Sequence, residues 1–137
     1  MPQQKVLDHK GGETRKGFSM FSAQVLDHFQ NPRNAGELDA ATAVVERTNP
    51  VCGDVLRLAA RVEDGRVAEA RFKCSGCVPA MAVGSLLTEL VTGRRVEELS
   101  GITEGDVIQA LGGLPPASRH AAQLAIETLR ALRQALP

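Results

Sequence analysis

Two strand-type segments joined by Glu63-Asp64-Gly65 constrain this chain more than any other feature. Residues 55–62 and 66–72 carry β-branched and alternating apolar positions. An Asp-Gly pair between such runs is hairpin-turn chemistry, because it accepts backbone angles that most residues avoid. Residues 43–47 have the same strand character, so two or three antiparallel strands are expected. A sheet that small must be covered on one face by helices.

The second half of the chain supplies them. Pro79 stands where a first-turn proline would, opening a helix that runs to Val91 and stops at Gly93. A shorter helical stretch is expected over 103–111, ending at Gly112-Gly113. The last helix starts after Leu114-Pro115-Pro116, with Ser118 as N-cap, and runs to Ala135. Its apolar stripe is Ala122, Ala125 or Ile126, Leu129 and Leu132, a core-facing pattern. Upstream, Phe21, Val25 and Phe29 fall four apart, giving a short amphipathic helix that Asn31-Pro32 ends. Strands early and helices late make an α+β fold, with helices on one face of a small antiparallel sheet. Residues 1–19 are polar and lack periodicity, and read as a flexible N-terminal tail before a domain over 20–137. The letters V-L-D-H occur at residues 6–9 and again at 25–28, which we read as chance or a start-site extension rather than a functional repeat.

Composition excludes several function classes. With four Phe, no Tyr and no Trp, the core is aliphatic and base stacking is an unattractive binding mode. Sixteen basic and sixteen acidic residues cancel, leaving no net field to draw the chain to nucleic acid or an anionic membrane. No apolar run approaches the roughly 18 residues of a transmembrane helix, and no secretory signal is visible. Three cysteines, an odd number, argue against a disulfide framework. A reducing cytoplasm is the expected setting, where thiols more often serve as ligands or nucleophiles than as bridges.

Three places can carry chemistry. In Asn49-Pro50-Val51-Cys52-Gly53-Asp54, a thiol and a carboxylate flank a glycine on a turn leading into a strand. Gly53 frees the backbone so that both side chains can aim at one point, and a soft thiolate beside a carboxylate suits iron or zinc. By itself Cys-Gly-Asp is a weak signal. Cys74-Ser75-Gly76-Cys77 has the spacing of a metal half-site and links a strand end to a helix start; without a preceding βαβ unit, metal binding is favoured over a thioredoxin-type redox role. His120 opens the last helix, where a lone histidine is ordinarily just solvated. Together Cys52, Asp54, Cys77 and His120 offer four ligands from three loops at element ends. His9 lies in the tail, and His28 neighbours a helix stripe, where a satisfied structural role is expected. A glycine-rich phosphate loop, a G-x-S-x-G elbow and an H-E-x-x-H helix are all lacking, which counts against nucleotide-dependent and hydrolytic readings.

With these blocks placed, the sequence resembles the U-type iron–sulfur cluster scaffolds, IscU and the N-terminal domain of NifU, with SufU relatives. The matching pieces are V-L-D-H-F-x-N-P-R-N-x-G at 25–36, N-P-x-C-G-D at 49–54 and R-F-K-x-x-G-C at 71–77. S-L-L-T-E-L-V-T-G at 85–93 and L-P-P-x-x-x-H at 114–120 complete the series. The resemblance implies a three-stranded antiparallel sheet with packed helices, and a non-enzymatic scaffold. On such a scaffold sulfur from a cysteine desulfurase meets iron to form a [2Fe–2S] cluster, which passes to apoproteins. It maps the ligand positions onto Cys52, Asp54, Cys77 and His120, and implies zinc as a frequent occupant on isolation. SufU relatives suggest a second role, a zinc-bearing sulfur acceptor for the desulfurase; a degenerate member acting through protein contacts is a third.

Two departures stand out. The family has a third cysteine directly after the histidine, and here that position is Ala121, which can neither bind metal nor carry a persulfide. Cys74 is the extra thiol, and it restores the count only if the strand end turns its side chain toward the site; strand alternation can equally bury it. The IscU branch has L-P-P-V-K where this chain has Leu114-Pro115-Pro116-Ala117-Ser118, so recognition by the specialised Hsp70-type chaperone is not carried over.

Overall fold

Asp64 and Gly65 both take positive φ, +54° and +76°, and turn the chain between two paired strands as the primed hairpin turns do. The structure is a computed structural model that describes residues 20–137; the tail, His9 and the first V-L-D-H lie outside the described residues. Strand β1 is Ala43–Thr48, β2 is Val55–Glu63 and β3 is Arg66–Ser75. They form one antiparallel sheet in the order β1-β2-β3. Helix α1 is Ala23–Gln30, α2 is Val78–Val91, α3 is Glu104–Ala110 and α4 is Arg119–Ala135. This is the expected α+β architecture.

Alternation decides which face is covered. Leu56, Leu58 and Ala60 of β2 and Ala70 and Phe72 of β3 point inward and are buried, and against them pack α2, lying on β3, and α4, lying on β1 and β2. The stripe read from the sequence, Ala122, Ala125, Ile126, Leu129 and Leu132, is buried throughout. The opposite face carries Arg61, Glu69, Arg71 and Lys73, tied by ion pairs such as Arg71–Glu69 at 2.9 Å and Lys73–Glu37 at 3.1 Å. Exposed pairs of this kind add little stability, and serve mainly to keep the face solvated. The outer edge of β3 is closed by loops. The Gly36 N–H donates to the Phe72 carbonyl at 2.8 Å, and the Gly93 N–H donates to the Val67 carbonyl at the same distance.

Several boundaries differ from the sequence reading, each for a local reason. Strand β3 runs to Ser75, three residues past the expected end, because Lys73, Cys74 and Ser75 find partners in Arg57, Leu56 and Val55. A 3₁₀ turn over Val96–Gly101 was not anticipated; it buries Val96 and Leu99 through i, i+3 spacing. Ser118 sits at the N-cap position of α4 but makes no side-chain cap. Pro116 instead starts a 3₁₀ turn, Pro116–Ser118, in which the Ser118 N–H donates to the Pro115 carbonyl at 2.8 Å. His28 has the structural role expected of it. It is buried, with Nδ1 2.7 Å from the Ser85 hydroxyl of α2, and that hydroxyl also accepts the Arg33 N–H at 2.9 Å. Burial and the neighbouring Arg33 charge hold the His28 pKa below its ordinary value, against the opposing pull of Glu89 and Asp27. Among the described residues no helix is long and apolar enough to cross a membrane.

The sheet places the candidate site. Val55, the first residue of β2, pairs with Ser75, the last of β3. Asp54 and the Gly76-Cys77 segment must therefore leave the sheet side by side, at the end where α2 begins.

Gly84 shows how closely α2 lies on the sheet. A glycine in mid-helix costs about 1 kcal/mol relative to alanine. Here, however, an added Cβ would lie 2.5 Å from Phe72 Cδ2 and 3.0 Å from Leu56 Cδ1. Gly84→Ala is therefore expected to lose about 1–3 kcal/mol through overpacking, despite its better propensity, as read from the urea unfolding midpoint. A gain in stability would mean that Phe72 moves aside and α2 is not locked to β3.

Candidate metal centre

The turn before β2 is built by Asn49. Its buried side-chain Oδ1 accepts the N–H of Val51 at 2.9 Å and that of Cys52 at 3.4 Å, an Asx-type turn. Its own N–H donates to the Asp54 carbonyl, and its carbonyl accepts the Gly53 N–H, both at 2.8 Å. Gly53 closes the loop at φ +78°, the conformational freedom anticipated for it. Cys52 and Asp54 consequently project from one tight loop. Cys52 is exposed and Asp54 is only 6% exposed.

Cys77 occupies the N-cap position of α2 with no side-chain cap bond. Its thiol donates instead to Asp54 Oδ2 at 3.1 Å, and lies 3.9 Å from His120 Nε2. His120 enters from the first turn of α4. Its Nδ1 is 3.0 Å from the Ala117 carbonyl oxygen; that oxygen can only accept, so the ring proton sits on Nδ1 and the Nε2 lone pair faces the centre. Nε2 is 3.7 Å from Asp54 Oδ2. One ligand atom each from Cys52, Asp54 and His120 lies within 4.8 Å of the others.

The electrostatics are those of a half-dry corner. Burial pushes Asp54 up, but hydrogen bonds from the Cys77 and Cys52 thiols and the Cys77 backbone N–H, with the nearby His120, outweigh it and hold the carboxyl below its usual range. Burial, with Asp54 beside it, pushes the Cys77 thiol up to about 11. Cys74 is pushed up to about 12, chiefly by burial and then by Asp54 and Cys77. Cys74 shares the inward side of β3 with Ala70 and Phe72 and is half-buried against the core; like Cys77, it lies outside the group of three whose ligand atoms are within 4.8 Å of one another. Ala121 is 0% exposed. A cleft of 440 Å³ between Val51 and Cys52 on one side and Ala117, His120, Gln123 and Glu127 on the other leads into the centre. A larger groove of 560 Å³ lies elsewhere, between Leu99–Gly105 and the far half of α4, and contains no cysteine or histidine.

The donor set fits a first-row metal. Thiolate, imidazole and carboxylate in a cluster of this size are the ligand types of tetrahedral zinc and of iron–sulfur sites. Gathering them from three loops makes chance clustering of exposed acidic groups a poor explanation. The sequence reading missed two contributors. Asn49 was legible from the Asn-Pro opening of an Asx turn, whereas the role of Gly76 depends on tertiary contact alone.

Comparison with known proteins agrees with this architecture. The family model for the NifU-like N terminal domain matches residues 20–135. The iron–sulfur cluster assembly scaffold protein IscU 1 of Archaeoglobus fulgidus is 43% identical over 111 residues, covering 81% of this chain and 72% of the relative. Its counterpart from Azotobacter vinelandii is 41% identical over 117 residues, covering 81% and 89%. Among solved structures, the N-terminal part of a nitrogen-fixing NifU-like protein from Brucella abortus superimposes with a TM-score of 0.58 at 21% identity, covering 85% of this chain and 81% of that one. A candidate iron–sulfur scaffold for the SUF system from Fervidobacterium islandicum gives 0.69 at 19% identity, covering 82% and 96%; both speak to the fold. The chain belongs to the NifU-like N-terminal domain family.

Because Asn49 aims Cys52, Asn49→Ala is expected to weaken Co²⁺ or Zn²⁺ binding on the order of 10-fold. Asn49→Asp keeps the acceptor oxygen and should stay near the wild type. Equal losses in both variants, measured by competition with a chromogenic chelator, would remove Asn49 from this role.

Proposed function

We propose that this chain is an iron–sulfur cluster scaffold or carrier, and that Cys52, Asp54, Cys77 and His120 hold its cargo. The observation that carries the reading is the convergence of Cys52, Asp54 and His120 within 4.8 Å, with the Cys77 thiol against both Asp54 and His120. The relatives named as IscU scaffolds support it. In this reading Cys52 and Cys77 bind iron as thiolates, His120 donates through Nε2, and Asp54 supplies a harder oxygen ligand. A mixed set of this kind binds iron less tenaciously than four thiolates, which suits a cluster that must be given up. Sulfur would come from a cysteine desulfurase, and the cluster would pass to apoproteins. The exposed Cys52 and the 440 Å³ cleft beside it are the approach for such a partner. The role is that of a platform rather than of an enzyme turning over a substrate, acting in the cytoplasm through the unit formed by residues 20–137.

The same donors suit zinc, so zinc is the expected occupant when the protein is purified without iron. Cys74 is assigned no ligand role, because it packs against the core and, unlike Cys77, makes no hydrogen bond to Asp54 or His120 among the described residues.

The test is anaerobic reconstitution of the full chain with iron and sulfide, followed by metal analysis and visible absorption. A cluster is expected in the wild type and in Cys74→Ala, and its loss is expected in Cys77→Ser. Stable zinc with no cluster under any condition would overturn the scaffold reading in favour of a zinc-bearing sulfur acceptor. Loss of the cluster in Cys74→Ala would instead show that Cys74 replaces the thiol missing at Ala121.

A further inference from the structure

Gly76 is a glycine for a reason that its backbone does not supply. Gly53, at the same end of the sheet, needs positive φ, but Gly76 lies outside the left-handed region. What it provides is room. A Cβ placed on Gly76 would fall 2.6 Å from Asp54 Oδ1, 2.7 Å from Asp54 Cγ and 3.0 Å from Asp54 Cβ. Non-bonded carbons and oxygens do not approach that closely, so the two side chains cannot coexist as placed.

Asp54 has nowhere to retreat. Its carbonyl is held by the Asn49 N–H at 2.8 Å, and the next residue, Val55, is paired in the sheet with Ser75. Its carboxylate accepts the Cys77 thiol at 3.1 Å. That bond keeps the carboxylate against the Gly76–Cys77 segment, where a Cβ on residue 76 would stand. A nearly buried carboxylate deprived of that donor would be costly to keep charged.

We infer that Gly76 is a positioning residue of the metal centre: its missing side chain forms the seat that aims the Asp54 carboxylate at the point shared with Cys52, Cys77 and His120. This rests on the reading of the four residues as a metal centre. Gly76 touches no cargo itself, and acts wholly through Asp54. Removing the seat leaves two thiolates and an imidazole in place, so metal still binds, with water or nothing where the carboxylate stood.

The test is a double-mutant cycle on the full chain with Co²⁺ and Zn²⁺ as probes, since an effect carried by one contact is non-additive with loss of that contact. Wild type, Asp54→Ala, Gly76→Ala and the double variant are compared by chelator competition and by the Co²⁺ absorption spectrum. Melting of the metal-free proteins reports folding. Asp54→Ala is expected to weaken binding on the order of 10- to 100-fold. Gly76→Ala should weaken it comparably and shift the Co²⁺ spectrum toward that of Asp54→Ala, and the double variant should match Asp54→Ala alone. Wild-type affinity in Gly76→Ala, or a full further loss when it is added to Asp54→Ala, overturns the inference while leaving the metal centre intact. Unchanged affinity in Asp54→Ala overturns the metal-centre reading itself, and the role of Gly76 with it. If Gly76→Ala alone fails to fold, recovery of folding when it is combined with Asp54→Gly, which removes the Cβ as well, supports the seat, and continued unfolding refutes it.

Discussion

The pairing of Val55 with Ser75 is the contact on which the rest of this molecule turns. It ends β2 and β3 at the same level, so the residues just outside them, Asp54 on one side and Gly76 and Cys77 on the other, share one corner. Side chains alternate along a strand, and a register slip of one residue would send Leu56, Leu58 and Phe72 to the solvated face. The buried aliphatic surface under α2 and α4 therefore specifies the register, and the register specifies the site. Core and chemistry are coupled through the backbone ladder rather than through direct contact.

That coupling explains how a nearly buried carboxylate is tolerated. Asp54 would be an expensive isolated charge, but it accepts the Cys77 thiol and faces His120. The two neighbours arrive by different structural routes: Cys77 from the end of β3 and the cap position of α2, His120 from the first turn of α4. The fold itself thus brings Cys52, Asp54 and His120 within 4.8 Å of one another. In the proposed scaffold role, a mixed-ligand corner with one exposed thiol, Cys52, suits taking up cargo and giving it up.

Much of this was legible in the sequence because it rests on local rules. The Glu63-Asp64-Gly65 turn, the Pro79 helix start and the stripe through Leu129 and Leu132 are determined by periodicity and turn chemistry, and the structure agrees with each. The extra length of β3 was not visible, since Lys73, Cys74 and Ser75 have weak strand preference and are held by partners on β2. The 3₁₀ turn of Pro116–Ser118 replaced the expected Ser118 cap because two prolines favour a tight turn over an open N-terminus. At the site, ligand types could be read from motifs, but the geometry could not. Alternation alone left Cys74 free to face either way until the packing of β3 against the core was known. Gly76 is a matching letter of R-F-K-x-x-G-C, but only its contact with Asp54 shows what the missing side chain does.

The central claim, that Cys52, Asp54, Cys77 and His120 form one metal centre without Cys74, is tested most directly by counting the atoms around a bound ion. X-ray absorption at the zinc edge, on the full chain loaded with one equivalent of Zn²⁺, distinguishes sulfur near 2.3 Å from nitrogen and oxygen near about 2.0 Å. Two sulfur and two nitrogen or oxygen neighbours are expected from the four side chains gathered here. Three sulfurs would bring Cys74 into the shell, and an ion surrounded only by oxygen and nitrogen would contradict the account outright.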